Sequence, residues 1–457
     1  MLRSASLVSD GRPTASTRVP GTRAWIIGGA AAVLTGLAAY DIDPRAGIAV
    51  LGAAAAPLLV VMPQRAFLIL VAALPFDALA SLAESRTLSL TRLLGVAVLG
   101  GWLAHALITR TPIRLGRAGW LLAAYVAFAA LSVAWAPDTD DAMAQLRTLV
   151  QLLAFYVMAV NLLVRPADAR VVLDVLLVAT IVLAGVALWQ LPTEGHHVRA
   201  EIVLGDDTFN PNYLAAALVF PVIAALGMGR AGSPFGWLRL LAVVPIAVTL
   251  FATGSRGGGI ALVVGVGMLA VLRPRLGPTL GIAVLCAGLL LPVVLPDNTI
   301  QRIDDRWAGS TEDRLSGRLD IWKVGTAMFV DHPLAGVGLG GFRDEFYTYM
   351  IATPVDPTFA RIHNRGNRVP HNVYLGTFVE LGVVGGGLLV AALATHGLAA
   401  WRVARHRRAV APALALPALF ASMAVFGGSI DLMGQKLPWL LLAAMQAAVL
   451  PAPETSA

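Results

Sequence analysis

Apolar runs long enough, or nearly long enough, to cross a bilayer recur along the whole chain, and they restrict it to a polytopic membrane protein. They fall at 24–40, 46–62, 66–82, 93–108, 118–136, 148–164 and 171–191. Others follow at 213–228, 237–252, 257–272, 278–295, 372–400, 411–428 and 437–450. A spanning helix needs about 20 apolar residues, with a range of about 17–25. Several runs are short, so the expected fold is an all-α membrane protein of about 12–14 transmembrane helices. Only 13% of the residues are charged, against about a quarter in soluble domains.

The distribution of arginine orients the chain. With a cytoplasmic N-terminus, the inner tail and loops hold most arginines, among them Arg65, Arg114, Arg165, Arg239 and Arg405, and the short outer loops hold few. That is the asymmetry expected of inside loops. The expected organisation is a disordered cytoplasmic tail at 1–23, transmembrane helices over 24–295, one large external loop at 296–370, and C-terminal transmembrane helices over 371–450. The net charge of +7 does not point to nucleic acid, because the basic residues sit in loops rather than on one stripe. Cys286 is the only cysteine, so an internal disulfide or a Cys/His metal site is excluded.

Within the long loop, "SGRLDIWKVGTAMFVDHPLAGVGLGGF" (316–342) reads as ordered. Ser316 is placed to cap a helix whose apolar face carries Leu319, Trp322 and Phe329, and which stops near the proline of "DHP". The glycine-rich turn follows no strand and lacks the Lys-Ser/Thr of a phosphate loop, so it is not read as a nucleotide site. The stretch 355–370 reads as a mobile loop.

Three segments entering the membrane from outside begin with unusual chemistry. "TFNPNYLA" offers Asn210 as a cap and Pro211 for the first turn, with Arg199 upstream; "TGSRGG" sets Arg256 among glycines; "RVPHNVYLGTFVELG" opens with His371 and Asn372. Helix N-termini attract anions through unpaired N–H groups and the helix dipole. Arginine keeps its proton and offers a planar fork to phosphate oxygens. Arg256 therefore reads as a phosphate clamp whose flanking glycines admit a bulky anion, the alternative being a snorkelling arginine. Arg199 has the same two readings, with a salt bridge to Glu201, Asp206 or Asp207 as its structural one. Arg318, heading the loop helix, either binds ligand or supports the loop. His371, at the positive end of its helix, is expected to be mostly neutral near pH 7 and so able to act as a general base; the plainer reading is an interfacial histidine bonded to backbone. Asp431 is placed to orient an arginine or a substrate hydroxyl. Glu380, nine residues beyond His371, is expected on the opposite helix face. No metal-ligand spacing is present.

As a set, "TFNPNYLA", "TGSRGG", "SGRLDIWKVGTAMFVDHPLAGVGLGGF" and "HNVYLGTFVELG" resemble the O-antigen ligase and polymerase superfamily of bacterial membrane glycosyltransferases, over roughly residues 195–400. The resemblance implies transfer of a glycan from undecaprenyl diphosphate to a hydroxyl acceptor at the periplasmic face of the inner membrane. The loop at 296–370 would then be periplasmic, and neither metal nor nucleotide sugar nor other cofactor would be required. It implies His371 as base and Arg256 and Arg199 on the donor diphosphate, and Asp431 is a looser match to a late acidic residue of ligases. From their positions in this sequence, Arg318, Asn372 and Asp431 are candidate substrate-binding or orienting residues. The acceptor would be the lipid A-core in a ligase, or another lipid-linked repeat in a polymerase. Many ligases carry a serine two residues after the histidine where this chain has Val373, which leaves the acceptor open. A lipid-linked sugar transporter is the alternative of another class; transporters place their sites near the bilayer midplane.

Overall fold

The computed structural model describes residues 59–77, 90–190, 200, 202–204, 207–208, 210–229, 236–274, 317–357, 359–360, 368–406 and 412–450. The chain divides into residues 1–62 and a second unit, 63–457, to which the elements below belong. The apolar run at 24–40, most of that at 46–62 and the whole of that at 278–295 lie outside the described residues, as do Ser316 and Arg199.

The helices are α1 Pro63–Ala73, α2 Leu90–Thr109, α3 Gly116–Ser132, α4 Thr139–Leu162, α5 Pro166–Gln190, α6 Pro211–Met228, α7 Gly236–Ala252, α8 Arg256–Leu272, α9 Arg318–Asp331, α10 Gly341–Ala352, α11 Val373–His406, α12 Ala415–Gly427 and α13 Lys436–Ala447. A two-residue antiparallel pair, Val203–Leu204 with Asp207–Thr208, precedes α6. Among the described residues, α3 (with the 3-10 turn that extends it), α4, α5, α6, α11 and nearly all of α2 are long and apolar enough to cross a membrane. The protein is thus an all-α polytopic membrane protein. Large apolar side chains such as Trp120, Val178 and Val263 stand exposed on its outer faces, as lipid contact requires.

Local chemistry sets the helix starts. Asp138 caps α4 by accepting from the N–H groups of Asp140 and Asp141 at 2.8 and 3.1 Å. Asn210 caps α6 through Asn212 N, with Pro211 in the first turn. Ser255 caps α8 through Gly258 N. Small residues then let the helices close on one another. A Cβ on Gly265 would lie 2.3 Å from Ile223 of α6, and one on Gly257 would lie 2.2 Å from Ser429 just past α12. The glycines after Arg256 were expected to admit an anion; Gly257 and Gly258 instead serve this close helix packing, and at Gly259 alone of the three is the space around a Cβ open.

The described basic loops collect at one end of the bundle. There Asn161, at the end of α4, bonds Arg114 beside α3, and Arg239 at the start of α7 forms a bidentate pair with Asp174 of α5 at 2.6 and 2.7 Å. Leu272, Ala404 and Leu414 pack together at the same end. The opposite end gathers the starts of α4, α6, α8, α11 and α13 with α9 and α10. It is held by Leu339 N donating to Ser132 Oγ, by Ser255 Oγ donating to Asn212 Oδ1, and by Lys436 bridging Asp77 and Thr91.

The loop helices α9 and α10 pack around Ile321, Val324, Met328, Phe342 and Phe346. The expected apolar face is shifted: Leu319 is 41% exposed, and Ile321, Val324 and Met328 form the buried stripe, with Trp322 and Phe329 at its edge. The helix stops at Asp331, before Pro333. Within the stretch read as mobile, Phe359 is buried against this core and the Pro370 carbonyl accepts from Trp322 Nε1 at 3.0 Å.

Residues 333–338 form a strap that enters α11. At Gly382 the helix is broken, with φ 60° and ψ −165°. The helical pairs that would join Val383 to Val379 and Val384 to Glu380 are replaced by bonds to the strap. Val337 N and Gly338 N donate to the Val379 and Glu380 carbonyls at 3.0 and 2.9 Å. Val383 N and Val384 N donate to the Pro333 and Leu334 carbonyls at 2.8 and 3.4 Å. Backbone groups freed by a kink in an apolar setting need such partners. Gly336 and Gly338, at φ 71° and 98°, supply the left-handed turns that bring the strap this close.

Candidate active site

A cavity of about 270 Å³ opens at the end of the bundle away from the basic loops, between α3, α4, α6, α10, the start of α11 and the α12–α13 connection. Its wall includes His371, Arg368, Asp431, Glu380, Tyr125 and Tyr213.

His371 is fixed from both sides. Pro370 before it is held through its carbonyl by Trp322 and lies so close to Gly376 that a Cβ there would meet its ring at 2.8 Å. Asn372 after it caps α11, its Oδ1 accepting from Tyr374 N and Leu375 N at 3.0 and 3.2 Å. Between them His371 takes φ 47°, a backbone state rare outside glycine and found at sites that hold a side chain in place. Burial holds its pKa below the ordinary imidazole value, and the charges of Arg318 and then Arg368 lower it further. This direction favours the neutral ring, with burial and two cations as its causes where the sequence pointed to the helix end.

The arginines converge there. Arg318 is the first residue of α9, and burial followed by the charge of Arg256 lowers its pKa. Arg256 is the first residue of α8. Arg256, Arg318, Arg368 and His371 therefore form one electrostatic group drawn from α8, α9 and the approach to α11. Arg368 was not singled out from sequence. It lies on the cavity wall, and its Nε is enclosed with no hydrogen-bond partner among the described residues. Arg199 lies outside the described residues, so the group is described without it.

Asp431 opens onto the cavity although protein closes round it, and burial raises its pKa against the pull of the Gly434 and Met433 N–H groups. Its Oδ1 accepts from Met433 N at 3.1 Å. Glu380 was expected to face away from His371, and this is overturned: both line the same cavity. The reason is that the helix begins at Val373, so His371 is outside it, while Val373, Gly376, Thr377 and Glu380 share one helical face. The N–H groups of Gly340 and Phe342, at the start of α10, donate to the Glu380 carboxylate. Asn372, expected among the substrate-binding or orienting groups, has its side-chain oxygen committed to the helix cap.

Among the described residues no three His, Cys, Asp or Glu side chains are grouped as metal ligands. The arrangement is one of arginines suited to a polyanion, an imidazole of lowered pKa beside them, and hydroxyl and carboxyl groups on the same cavity. No curated protein matches the chain significantly. Residues 241–390 match the family model described as O-antigen ligase, a stretch that contains Arg256, Arg318, Arg368, His371 and Glu380. That match supports a likeness to the O-antigen ligase and polymerase superfamily.

Proposed function

We propose that the protein is an O-antigen ligase-type glycosyltransferase. It moves a glycan from undecaprenyl diphosphate to a hydroxyl of the lipid A-core at the periplasmic face of the bacterial inner membrane. The reading rests above all on one observation: a histidine whose pKa is lowered by burial and two arginines is pinned on the wall of a cavity beside them. The basic loops at the far end of the bundle support an orientation with this cavity outside.

His371 takes the proton of the acceptor hydroxyl as its oxygen bonds to the anomeric carbon. The bond from that carbon to the phosphate oxygen breaks, and undecaprenyl diphosphate leaves with the electron pair. Arg256, Arg318 and Arg368 hold the diphosphate and stabilise the charge that develops on it; Arg199 is assigned to the same group. Direct displacement inverts the anomeric centre. Asp431 orients the acceptor.

The test incubates purified protein with undecaprenyl-diphosphate glycan and either lipid A-core or further donor. Glycan on the core is the expected product, and His371→Ala slows its formation by about 10²–10⁴-fold. Full turnover by His371→Ala refutes the base assignment, growth of lipid-linked chains alone makes the protein a polymerase, and retained stereochemistry refutes direct displacement.

A further inference from the structure

The groups on this cavity fall into two electrostatic sets. The side chains acting electrostatically on His371 are Arg318 and Arg368. On the same cavity, Asp431 acts on Glu380, Tyr125 and Tyr213. Gln145 and Thr148 add an amide and a hydroxyl to the wall. Arg343 is the other cation on the wall, and its guanidinium lies 3.6 Å from Asp141 Oδ2.

We propose that the carboxyl and tyrosine side is the acceptor subsite and that it takes an uncharged, hydroxyl-rich sugar in preference to an acidic or phosphorylated one. This rests on the glycosyl-transfer reading above. Carboxyl, phenol, amide and hydroxyl groups all exchange hydrogen bonds with sugar hydroxyls. Each carboxylate keeps acceptor sites beyond the backbone bonds it already makes, since a carboxylate accepts about four. An acceptor carrying its own anion finds on this side only Arg343, already beside Asp141, and placing a further charge there is disfavoured. The enclosed Arg368 Nε marks where the anionic part of the substrate pair belongs instead. The cavity thereby sorts its two substrates by charge, donor diphosphate to the arginines and neutral acceptor to the acids.

Binding decides this without turnover. Full-length protein in detergent is given inorganic pyrophosphate to occupy the arginine side. It is then titrated with a neutral oligosaccharide, or with the same oligosaccharide bearing a uronate or phosphate. The neutral sugar is expected to bind at least about tenfold more tightly. Asp431→Asn and Glu380→Gln, which keep shape and hydrogen bonding, are expected to narrow that gap, and either suffices if the other does not fold. Equal or tighter binding of the charged sugar, or a gap unchanged in both variants, overturns the proposal. His371→Ala is expected to retain the preference; loss of transfer in every acceptor assay with the preference intact would refute the transfer reading and leave the subsite standing.

Discussion

Gly382→Ala tests how the strap and the broken helix depend on each other. Gly382 occupies φ 60°, ψ −165°, a region essentially restricted to glycine, and holding alanine there costs about 1–3 kcal/mol. The new Cβ would lie 2.2 Å from the Leu334 oxygen and 2.6 Å from Ala335 N. These are backbone atoms with no rotamer to escape into, so the strap must withdraw. Loss of half of the exchanged bonds adds about 1–3 kcal/mol at roughly 0.5–1.5 each. The expected destabilisation is roughly 2–6 kcal/mol. Gly387→Ala is the same change one and a half turns on, where a Cβ meets nothing within 4 Å. It is expected to be neutral, or stabilising by up to about 1 kcal/mol. Unfolding followed by tryptophan fluorescence in detergent, with protease cleavage at residues 333–340, measures both. If the two variants shift alike, or Gly382→Ala leaves the midpoint and the cleavage pattern unchanged, the account of the strap is wrong.

Since burial and two arginines lower the His371 pKa, kcat/KM is expected to fall only on acidification below the ordinary imidazole value of about 6.5. Arg368→Gln removes one repelling cation, so the His371 pKa rises and the acid limb moves to higher pH; a limb that stays put or moves lower refutes the arrangement. Asn372→Ala removes the cap of α11 and is expected to cost about 0.5–2 kcal/mol in the unfolding assay, whereas Asn372→Asp, which keeps the acceptor, is expected to cost little. Buried His396 has Nε2 2.9 Å from Tyr156 Oη and Nδ1 2.7 Å from the Ala392 carbonyl. Tyr156→Phe strands Nε2 and is expected to cost about 1–3 kcal/mol, with part of that recovered when His396→Leu is added; no recovery would refute the pairing.

What could be read from the sequence was local. Asn210 with Pro211, Arg256 at a helix start, and the stop before Pro333 are decided by neighbours in the chain, and the structure places them as expected. The grouping of Arg256 and Arg318 with His371 was legible because helix mouths and arginines carry recognisable chemistry. Glu380 was misplaced because the spacing argument counted His371 as helical, and only its positive φ and the cap at Asn372 set the helix start two residues later. Arg368 sits in a polar stretch beside Arg361 and Arg365, and nothing in that local sequence sets it apart from them. Gly382 lies in a glycine-rich run, and the strap that meets it comes from some fifty residues earlier, so nothing nearby announces the break.

That strap bears on how the chain is made. When α11 first enters the bilayer, two of its carbonyls and two of its amides have no mates within the helix. The segment able to complete them has already left the ribosome and must be waiting on the correct side. The loop helices and this span are therefore expected to become native together, which makes correct placement of the preceding loop a condition for stable insertion of the helix that follows it.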